Sequence, residues 1–246
     1  MELRDRVALI TGGKRIGAAI AIELARRGMD VALSFNRSRT EAEDAAEAVR
    51  KAGRRVALIQ ANLSQAPECH RLVSETVQAL GRLDALINMA SVYRSVPLED
   101  TDEAVWDSIV NVDLRAAYLC ARAALPQLRA AGTARIVNFA DWIAASGRPR
   151  YKDYIPYYVA KRGVIGLTEA LALELAGDKI LVNAIAPGPI VAPPGTTPEE
   201  HRAVEASTPL GRWGGEEEIV KTVIFLLESD FVTGETIRVD GGRHVR

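Results

Sequence analysis

The sequence predicts an α/β protein whose seven strands form one doubly wound, parallel sheet with helices on both faces. Short apolar runs rich in β-branched residues alternate with amphipathic segments along the 246 residues. Each run is continuously apolar, which is typical of a strand covered on both faces. Right-handed crossovers then place such strands side by side in one sheet. The predicted strands are 7–12, 31–35, 56–61, 85–90, 135–140, 180–186 and 236–241.

Helical segments lie between these strands, so the chain repeats a strand–helix–strand unit. Hydrophobic residues make up 48% of the chain, and no linker or repeat divides it, so we expect a single domain over residues 1–246. Residues 188–214 are rich in Pro and Gly and interrupt the rhythm. We expect an irregular substrate loop or lid there, with a disordered insertion as the alternative. The predicted helices are 15–28, 39–52, 67–81, 101–130, 157–176 and 215–228.

The charge balance argues against partners that need a charged surface. The formal net charge is -1, from 31 basic and 32 acidic residues, so we expect neither nucleic acid nor a membrane as a partner. Cys69 and Cys120 lack redox or metal spacing, and His70, His201 and His244 are scattered, so we expect no metal. The first residues are unlike a signal peptide, and no apolar run is long enough to span a membrane. We expect a cytoplasmic protein with a small-molecule substrate.

A glycine-rich turn joins the first strand to the first helix, with the sequence T-G-G-K-R-I-G at residues 11–17. Glycines there let the backbone approach a pyrophosphate, and the free N–H groups of a helix N-terminus attract its negative charge. The strand–turn–helix context makes this motif more specific than a lone glycine cluster. The motif therefore predicts a dinucleotide site, with contacts from Gly12, Lys14, Arg15 and Ile16.

The end of the second strand indicates which dinucleotide binds. An acidic residue at this point would hydrogen-bond the adenine ribose, whereas an Arg would hold a 2′-phosphate. The chain has no acid here and instead reads Asn36, Arg37, Ser38, which offer a guanidinium fork and a hydroxyl to phosphate oxygens. The sequence therefore predicts NADPH as the cofactor, in preference to NADH.

Tyr157 and Lys161 lie four residues apart on a predicted helix, so both side chains project from one face. A phenol with an ordinary pKa near 10 is a poor acid or base at neutral pH, but an adjacent ammonium group favours the phenolate. The pair is therefore a candidate for proton transfer, and an exposed Tyr beside a solvated Lys is the alternative.

Five motifs together resemble those of the short-chain dehydrogenase/reductase family: residues 11–17, N-M-A-S at 88–91, the Tyr157/Lys161 pair, N-A-I-A-P-G-P-I at 183–190 and V-D-G-G at 239–242. The resemblance covers essentially the whole chain. It implies a Rossmann-type fold, a homotetramer, Tyr157 as proton donor and Lys161 as a ligand of the nicotinamide ribose. The further cofactor contacts that it implies are Asn62, Leu63, Asn88, Ala90, Pro187, Gly188 and Ile190.

Within this family the sequence resembles pteridine reductases most. Asp141 occupies the position in which most members have a serine, Arg15 replaces a glycine of the first turn, and Tyr93 follows the fourth strand, where its ring is suited to stacking on a flat heterocycle. A neutral carboxylic acid at Asp141 would supply a proton to a nitrogen substrate. An Asp that only caps the next segment is the alternative, and Ser146 is another candidate for the serine's role.

Asp113 stands in the position in which the family has an asparagine. Three interpretations remain open: its oxygens serve a water relay to Lys161, it pairs electrostatically with Lys161, or it is a structural polar residue.

The functional expectation is an NADPH-dependent reductase of a C=N or C=O group, best matched by a pteridine-reductase-like activity. A carbonyl reductase acting on a 3-oxoacyl carrier-protein thioester is the second candidate. A dinucleotide-binding sensor without catalysis is the candidate from another class, because fold alone does not exclude it. The presence of both Tyr157 and Lys161 argues against the sensor.

Overall fold

The structure, a computed structural model, describes residues 1–12 and 14–246. Gly13 of the predicted glycine turn lies outside the described residues. All seven predicted strands are present and pair in parallel, in the order β3-β2-β1-β4-β5-β6-β7. The strands are β1 (Val7–Thr11), β2 (Asp30–Phe35), β3 (Val56–Gln60), β4 (Ala85–Asn88), β5 (Ala134–Phe139), β6 (Ile180–Pro187) and β7 (Thr236–Val239).

Helices cover both faces of this sheet, as predicted. One apolar core lies beneath α3, α5 and the end of α7, and a second lies beneath α1, α2 and α9. One sheet with two covered faces makes the chain a single Rossmann-type domain. None of the described helices is long and apolar enough to cross a membrane. The helices are α1 (Ile16–Arg26), α2 (Arg39–Lys51), α3 (Ala66–Leu80), α4 (Glu103–Val110), α5 (Ala116–Ala130), α6 (Trp142–Ala145), α7 (Ile155–Leu175), α8 (Pro198–Ser207) and α9 (Glu216–Glu228).

Three details of the predicted elements were wrong. The single helix expected over 101–130 is α4 and α5 joined by a π-helical turn, Asn111–Arg115. The segment 188–214 is not irregular throughout, because it contains α8, which begins with a capping box between Thr197 and Glu200. The four-residue helix α6 was not predicted, since such a short element carries too little periodicity to be recognised.

Asp84 ties the middle of the sheet together just before β4 begins. Its fully buried carboxylate accepts hydrogen bonds from the Val7 backbone N–H at 2.9 Å and from the guanidinium groups of Arg6 and Arg82 at 2.6–2.8 Å. Its own backbone pairs with Val7 on one side and with Arg135 on the other. One residue therefore joins the starts of β1, β4 and β5, whose opposite ends carry the glycine turn and the polar residues described below.

Removal of the Asp84 carboxylate should destabilise the fold strongly. Asp84→Ala leaves the buried Val7 N–H without an acceptor and two guanidinium groups without their counter-ion, so we expect the free energy of unfolding to fall by about 3 kcal/mol. Urea denaturation at fixed protein concentration measures this change.

The matched control is Asp178→Ala, which removes an exposed pair with Arg129 and should cost below about 1 kcal/mol. Equal losses in the two variants would contradict the role of Asp84.

Candidate active site

The parallel sheet places the candidate functional residues at one edge, because every strand ends on the same side. Residues of the glycine turn follow β1, Arg37 follows β2, Asn62 follows β3, Tyr93 follows β4 and Asp141 follows β5. A cleft of about 880 Å³ opens along this edge. It is lined by side chains from the glycine turn, from the start of α7 and from the segment after β6.

Tyr157 and Asp141 form the central contact of this cleft. The Tyr157 hydroxyl donates a hydrogen bond of 2.9 Å to Asp141 Oδ2. Tyr157 is 8% exposed, and both side chains line the cleft. Tyr157 lies in the first turn of α7, which begins two residues earlier than predicted because Pro156 suits a first helical turn. The structure thus brings together the two residues for which the sequence predicted a shared role.

Asp141 caps α6 in addition to its contact with Tyr157. Its Oδ1 accepts the Ile143 N–H at 2.8 Å, which leaves Oδ2 for the tyrosine. Ser146, the other candidate for the serine's role, lies at the opposite end of α6 and donates its hydroxyl to the Trp142 carbonyl at 2.6 Å. The structure therefore pairs Asp141, and not Ser146, with Tyr157.

Burial favours the protonated forms of both partners. Desolvation raises the pKa of Asp141, and the hydrogen bonds from Ile143 and Tyr157 only partly oppose it. Desolvation and the Asp141 charge raise the pKa of Tyr157 well above its ordinary value. A carboxyl group with a raised pKa beside a phenol is a candidate source of protons.

Lys161 lies one helical turn after Tyr157 and is fixed from two sides. Its ammonium group donates to the Phe139 carbonyl at 2.9 Å and pairs with Asp113 Oδ1 at 3.2 Å. It also lies 5.6 Å from the centre of the Tyr157 ring. The Lys161 charge therefore stands beside the phenol without hydrogen-bonding its oxygen.

Asp113 is a buried member of the π-helical turn, which directs its carboxylate inward. Besides Lys161, it accepts hydrogen bonds from the Ser91 hydroxyl and from the Val92 N–H. The electrostatic and structural interpretations of Asp113 therefore describe one arrangement, in which the carboxylate joins Lys161 to the segment after β4.

A water-sized cavity of about 10 Å³ lies behind Lys161. It is bounded by Leu63, Asn88 and Ala90, three predicted cofactor contacts, together with Asp113. The buried Asn88 Oδ1 has no hydrogen-bond partner among residues 1–12 and 14–246. The space suits a single bridging water. A relay through Asp113 to Lys161 stays a prediction.

Aromatic rings form one wall of the cleft. The Tyr93 ring stacks on Tyr154 at 4.9 Å between centroids and meets Tyr157 edge-on at 5.0 Å. Tyr151 and Trp142 extend this wall, with an edge contact at 6.5 Å. Tyr93 is 54% exposed, so one part of its ring is available to a ligand. Flat, partly open rings beside Asp141 are suited to a planar substrate.

The glycine turn has the properties that a pyrophosphate requires. Gly12 adopts φ +98°, and a Cβ at Gly17 would lie 1.9 Å from the Gly12 carbonyl oxygen, so both positions need glycine. No side chain caps the N-terminus of α1, which leaves its first N–H groups for an anion. A Cβ at Gly188 would lie 2.6 Å from Asp240, so the backbone after β6 is also closely packed. These residues are compatible with a bound dinucleotide.

The residues expected to bind the adenosine end of the cofactor differ in whether their polar groups already have partners. Arg37 is exposed and forms no hydrogen bond or ion pair within the described chain, and Ser38 precedes α2 without capping it. The Asn36 carbonyl accepts the Gln60 amide, and Asn62 Oδ1 is taken by Ser64. Lys14 pairs with Glu41 at 2.7 Å, so its charge is partly neutralised.

Arg15 does not extend toward Arg37 either. Its guanidinium donates to the carbonyls of Val191 and Ala192, both at 3.0 Å. Arg15 therefore bridges the turn to the segment after β6, where Pro187, Gly188 and Ile190 also lie, and its contact with the cofactor stays a prediction.

Sequence reasoning missed several side chains of the cleft. The repeated spacing of Tyr151, Tyr154 and Tyr157 is one signal that points to a common face. Arg243 carries no local signal, because only the parallel pairing of β7 brings the chain after it to this edge. Among the residues that the structure describes, no three His, Cys, Asp or Glu side chains gather as a metal site.

Comparisons with known proteins agree on the kind of protein. The family model described as enoyl-(acyl carrier protein) reductase matches residues 12–244. The 3-oxoacyl-[acyl-carrier-protein] reductase FabG of Staphylococcus aureus is 35% identical, over 97% of this chain and 98% of that protein. A short-chain dehydrogenase/reductase mutant of Serratia marcescens superimposes with a TM-score of 0.91 at 30% identity, covering 99% of this chain and all of that one. Acetoin dehydrogenase YohF of Salmonella typhimurium has a TM-score of 0.88 at 32% identity, covering 98% of each.

The raised pKa of Asp141 should appear in the stability of the protein. Burial favours the protonated carboxyl group, so Asp141 contributes fully to stability below the ordinary aspartate pKa of about 4. This contribution is lost as the pH rises through the raised pKa that Asp141 has in the folded protein. Asp141→Asn keeps an oxygen for the Ile143 N–H and removes the titration. We therefore expect wild type to lose stability relative to Asp141→Asn as pH rises, measured by urea denaturation from about pH 4 to about pH 8.

Asp102→Asn is the control, because Asp102 caps α4 at the surface through Val105. An Asp141→Asn curve parallel to that of wild type across the whole range would contradict the buried titration.

Proposed function

Because the chain belongs to the short-chain dehydrogenase/reductase family, we propose that this oxidoreductase uses NADPH to reduce a C=N or C=O group, with a pteridine-reductase-like activity as its best match. The carrying observation is the buried hydrogen bond between the Tyr157 hydroxyl and Asp141 in the wall of the cleft. A serine in this position would offer only a hydroxyl, whereas Asp141 adds an ionisable proton.

The chemistry divides between cofactor and protein. When bound, the reduced nicotinamide supplies a hydride to the substrate carbon. As the carbon accepts this hydride, the π electron pair of the C=N or C=O bond moves onto the nitrogen or oxygen, and that atom takes a proton from Tyr157 or Asp141. After Tyr157 has given up its proton, the hydrogen bond reverses, and a protonated Asp141 donates to the phenolate oxygen and restores the phenol. Lys161, held by Asp113, offsets negative charge on the phenol.

The surroundings of Tyr157 favour a flat nitrogen heterocycle. The stacked Tyr93 and Tyr154 rings provide a planar surface, and the raised pKa of Asp141 favours an acid that protonates ring nitrogen. A simple ketone needs neither feature. Tyr93 and Asp141 are therefore the proposed substrate contacts.

A 3-oxoacyl thioester is the second candidate substrate, because FabG relatives match the chain over nearly its full length. The candidate of another class, a sensor that binds a dinucleotide without turnover, would need neither the Tyr157–Asp141 contact nor the buried Lys161–Asp113 pair. These buried polar contacts cost desolvation and are explained by catalysis.

Further proposals concern the surroundings of the site. The segment 188–214 acts as the substrate loop or lid, supported by the contacts of Arg15 with Val191 and Ala192 across the cleft. Exposed apolar side chains on α7, among them Val159 and Leu173, support the proposed homotetramer. We propose a cytoplasmic enzyme with a small-molecule substrate.

NADPH oxidation with a panel of a dihydropterin, an acetoacetyl thioester and a diketone tests the proposed function. We expect wild type to turn over the dihydropterin with the highest kcat/KM. Tyr157→Phe should lower kcat by at least about a hundredfold, because proton transfer loses its donor, while NADPH affinity stays within about twofold.

Tyr118→Phe, an exposed tyrosine on α5, is the matched control and should behave as wild type. NADPH binding without turnover of any panel member would support the sensor and sink the reductase. Unchanged kcat in Tyr157→Phe would remove Tyr157 from the chemistry.

Arg37→Ala tests the preference for NADPH. The exposed guanidinium is free to pair with a 2′-phosphate, so its loss should weaken NADPH binding by about tenfold or more and leave NADH binding nearly unchanged. Calorimetric titration with both dinucleotides gives the two affinities. Arg39→Ala is the control, because Arg39 already pairs with Glu43. Equal weakening of both dinucleotides by Arg37→Ala would contradict the proposed 2′-phosphate contact.

A further inference from the structure

Arg243 projects into the substrate side of the cleft from the segment after β7. Its guanidinium carbon lies 5.2 Å from the centre of the Trp142 ring, and both side chains line the same cleft as Tyr157. A guanidinium that stacks on an indole is held in orientation while its N–H groups stay available. Arg243 is half-buried, so the contact is partly shielded from water.

The other cations of the cleft already have partners. Lys14 pairs with Glu41, Lys161 pairs with Asp113, and Arg15 donates to two loop carbonyls. By contrast, the Arg243 guanidinium has neither a carboxylate nor a hydrogen-bond acceptor within residues 1–12 and 14–246. Among the cations of the described cleft lining, Arg243 is therefore the one whose guanidinium N–H groups have no partner.

The charged groups near Arg243 favour the binding of an anion. A second guanidinium, that of Arg150, lies 5.3 Å from the same Trp142 ring and donates to the Arg246 carbonyl. Of the acidic residues in the cleft, Asp141 accepts hydrogen bonds from the Ile143 N–H and the Tyr157 hydroxyl, and Glu200 accepts the Thr197 N–H in the capping box of α8. Neither of these carboxylates pairs with Arg243.

The position of Arg243 separates it from the cofactor's phosphates. The glycine turn follows β1, near the middle of the sheet, whereas Arg243 follows β7, the edge strand. Between these two ends of the cleft lie Tyr157 and Asp141. A ligand that reacts at Tyr157 and reaches Arg243 therefore extends away from the glycine turn, along the aromatic wall of Tyr151 and Trp142.

We propose that Arg243, stacked on Trp142, binds an anionic group, a carboxylate or a phosphate, on the arm of a substrate whose reacting group lies at Tyr157. The proposal rests on the proposed reductase function and adds a substrate class to it. A carboxylate arm belongs to a small heterocyclic substrate, whereas a phosphate arm belongs to a thioester of a phosphopantetheine-type carrier.

Two matched substrate pairs distinguish these sources. The first pair consists of two dihydropterins, one with a neutral side chain and one with a side chain that bears a carboxylate. The second pair consists of two acetoacetyl thioesters, that of N-acetylcysteamine, which is neutral, and that of coenzyme A, which carries phosphates. Arg243→Gln should raise KM about tenfold for the anionic member of the pair that the enzyme uses, with kcat and the neutral member changed by less than about twofold. Arg243→Lys should recover part of the loss, because it restores charge without the planar fork.

Three controls separate this effect from others. Arg26→Gln removes an equal charge from an exposed site on α1 and should leave both pairs unchanged. NADPH affinity and oligomeric mass should be the same in Arg243→Gln as in wild type. Binding of both anionic ligands is also measured by calorimetry with NADP⁺ present, so the comparison does not depend on turnover.

Arg243-dependent binding of an anionic ligand without turnover of any substrate would refute the reductase function and leave the anion site in place. Equal changes for neutral and anionic members, no change for either, or no binding of either anionic ligand would overturn the proposal for Arg243.

Discussion

The Asp141 carboxylate accepts two hydrogen bonds, and these two bonds position the parts of the active site. One oxygen begins α6 by accepting the Ile143 N–H, and the other accepts the Tyr157 hydroxyl at the start of α7. The chain between β5 and α7 is therefore attached at both of its ends to one side chain. This short segment carries Trp142, Tyr151 and Tyr154, so the aromatic wall takes its position from the same carboxyl group.

The carboxylate of Asp113 joins separate segments of the chain on the other side of Lys161. Asp113 links the ammonium group to Ser91 and to the Val92 N–H, and it is placed inward by the π-helical turn between α4 and α5. The two acids have different electrostatic settings. Asp113 faces a cation and is a counter-ion, whereas desolvation raises the pKa of Asp141 and the Tyr157 phenol is its neighbour. The proposed roles of counter-ion for Asp113 and of acid for Asp141 follow from these different environments.

The sequence was sufficient for the sheet because each strand is an uninterrupted apolar run, and a parallel sheet then carries the strand ends to one edge. Asp141 was predictable because it follows such a run. Tyr157 and Lys161 were predicted from their four-residue spacing on a helix, and Asp113 from the resemblance to the family. The partners of Lys14 and Arg15 were not, because Glu41 and the carbonyls of Val191 and Ala192 come from separate segments that meet only in three dimensions. The helices α6 and α8 were missed, since local polar bonds and not periodicity define them.

The two halves of the cleft use different chemistry, and this difference explains where specificity resides. On the β1 side, close backbone approaches at Gly17 and a helix without a side-chain cap offer N–H groups, which suit any pyrophosphate. On the β7 side, the lining includes aromatic rings, the carboxyl group of Asp141 and the guanidinium of Arg243. Backbone donors are the same in every sequence, whereas these side chains differ in shape and charge. In the proposed function, substrate selection therefore belongs to the segment between β5 and α7 and to Arg243, two parts of the chain that lie outside the strands of the sheet.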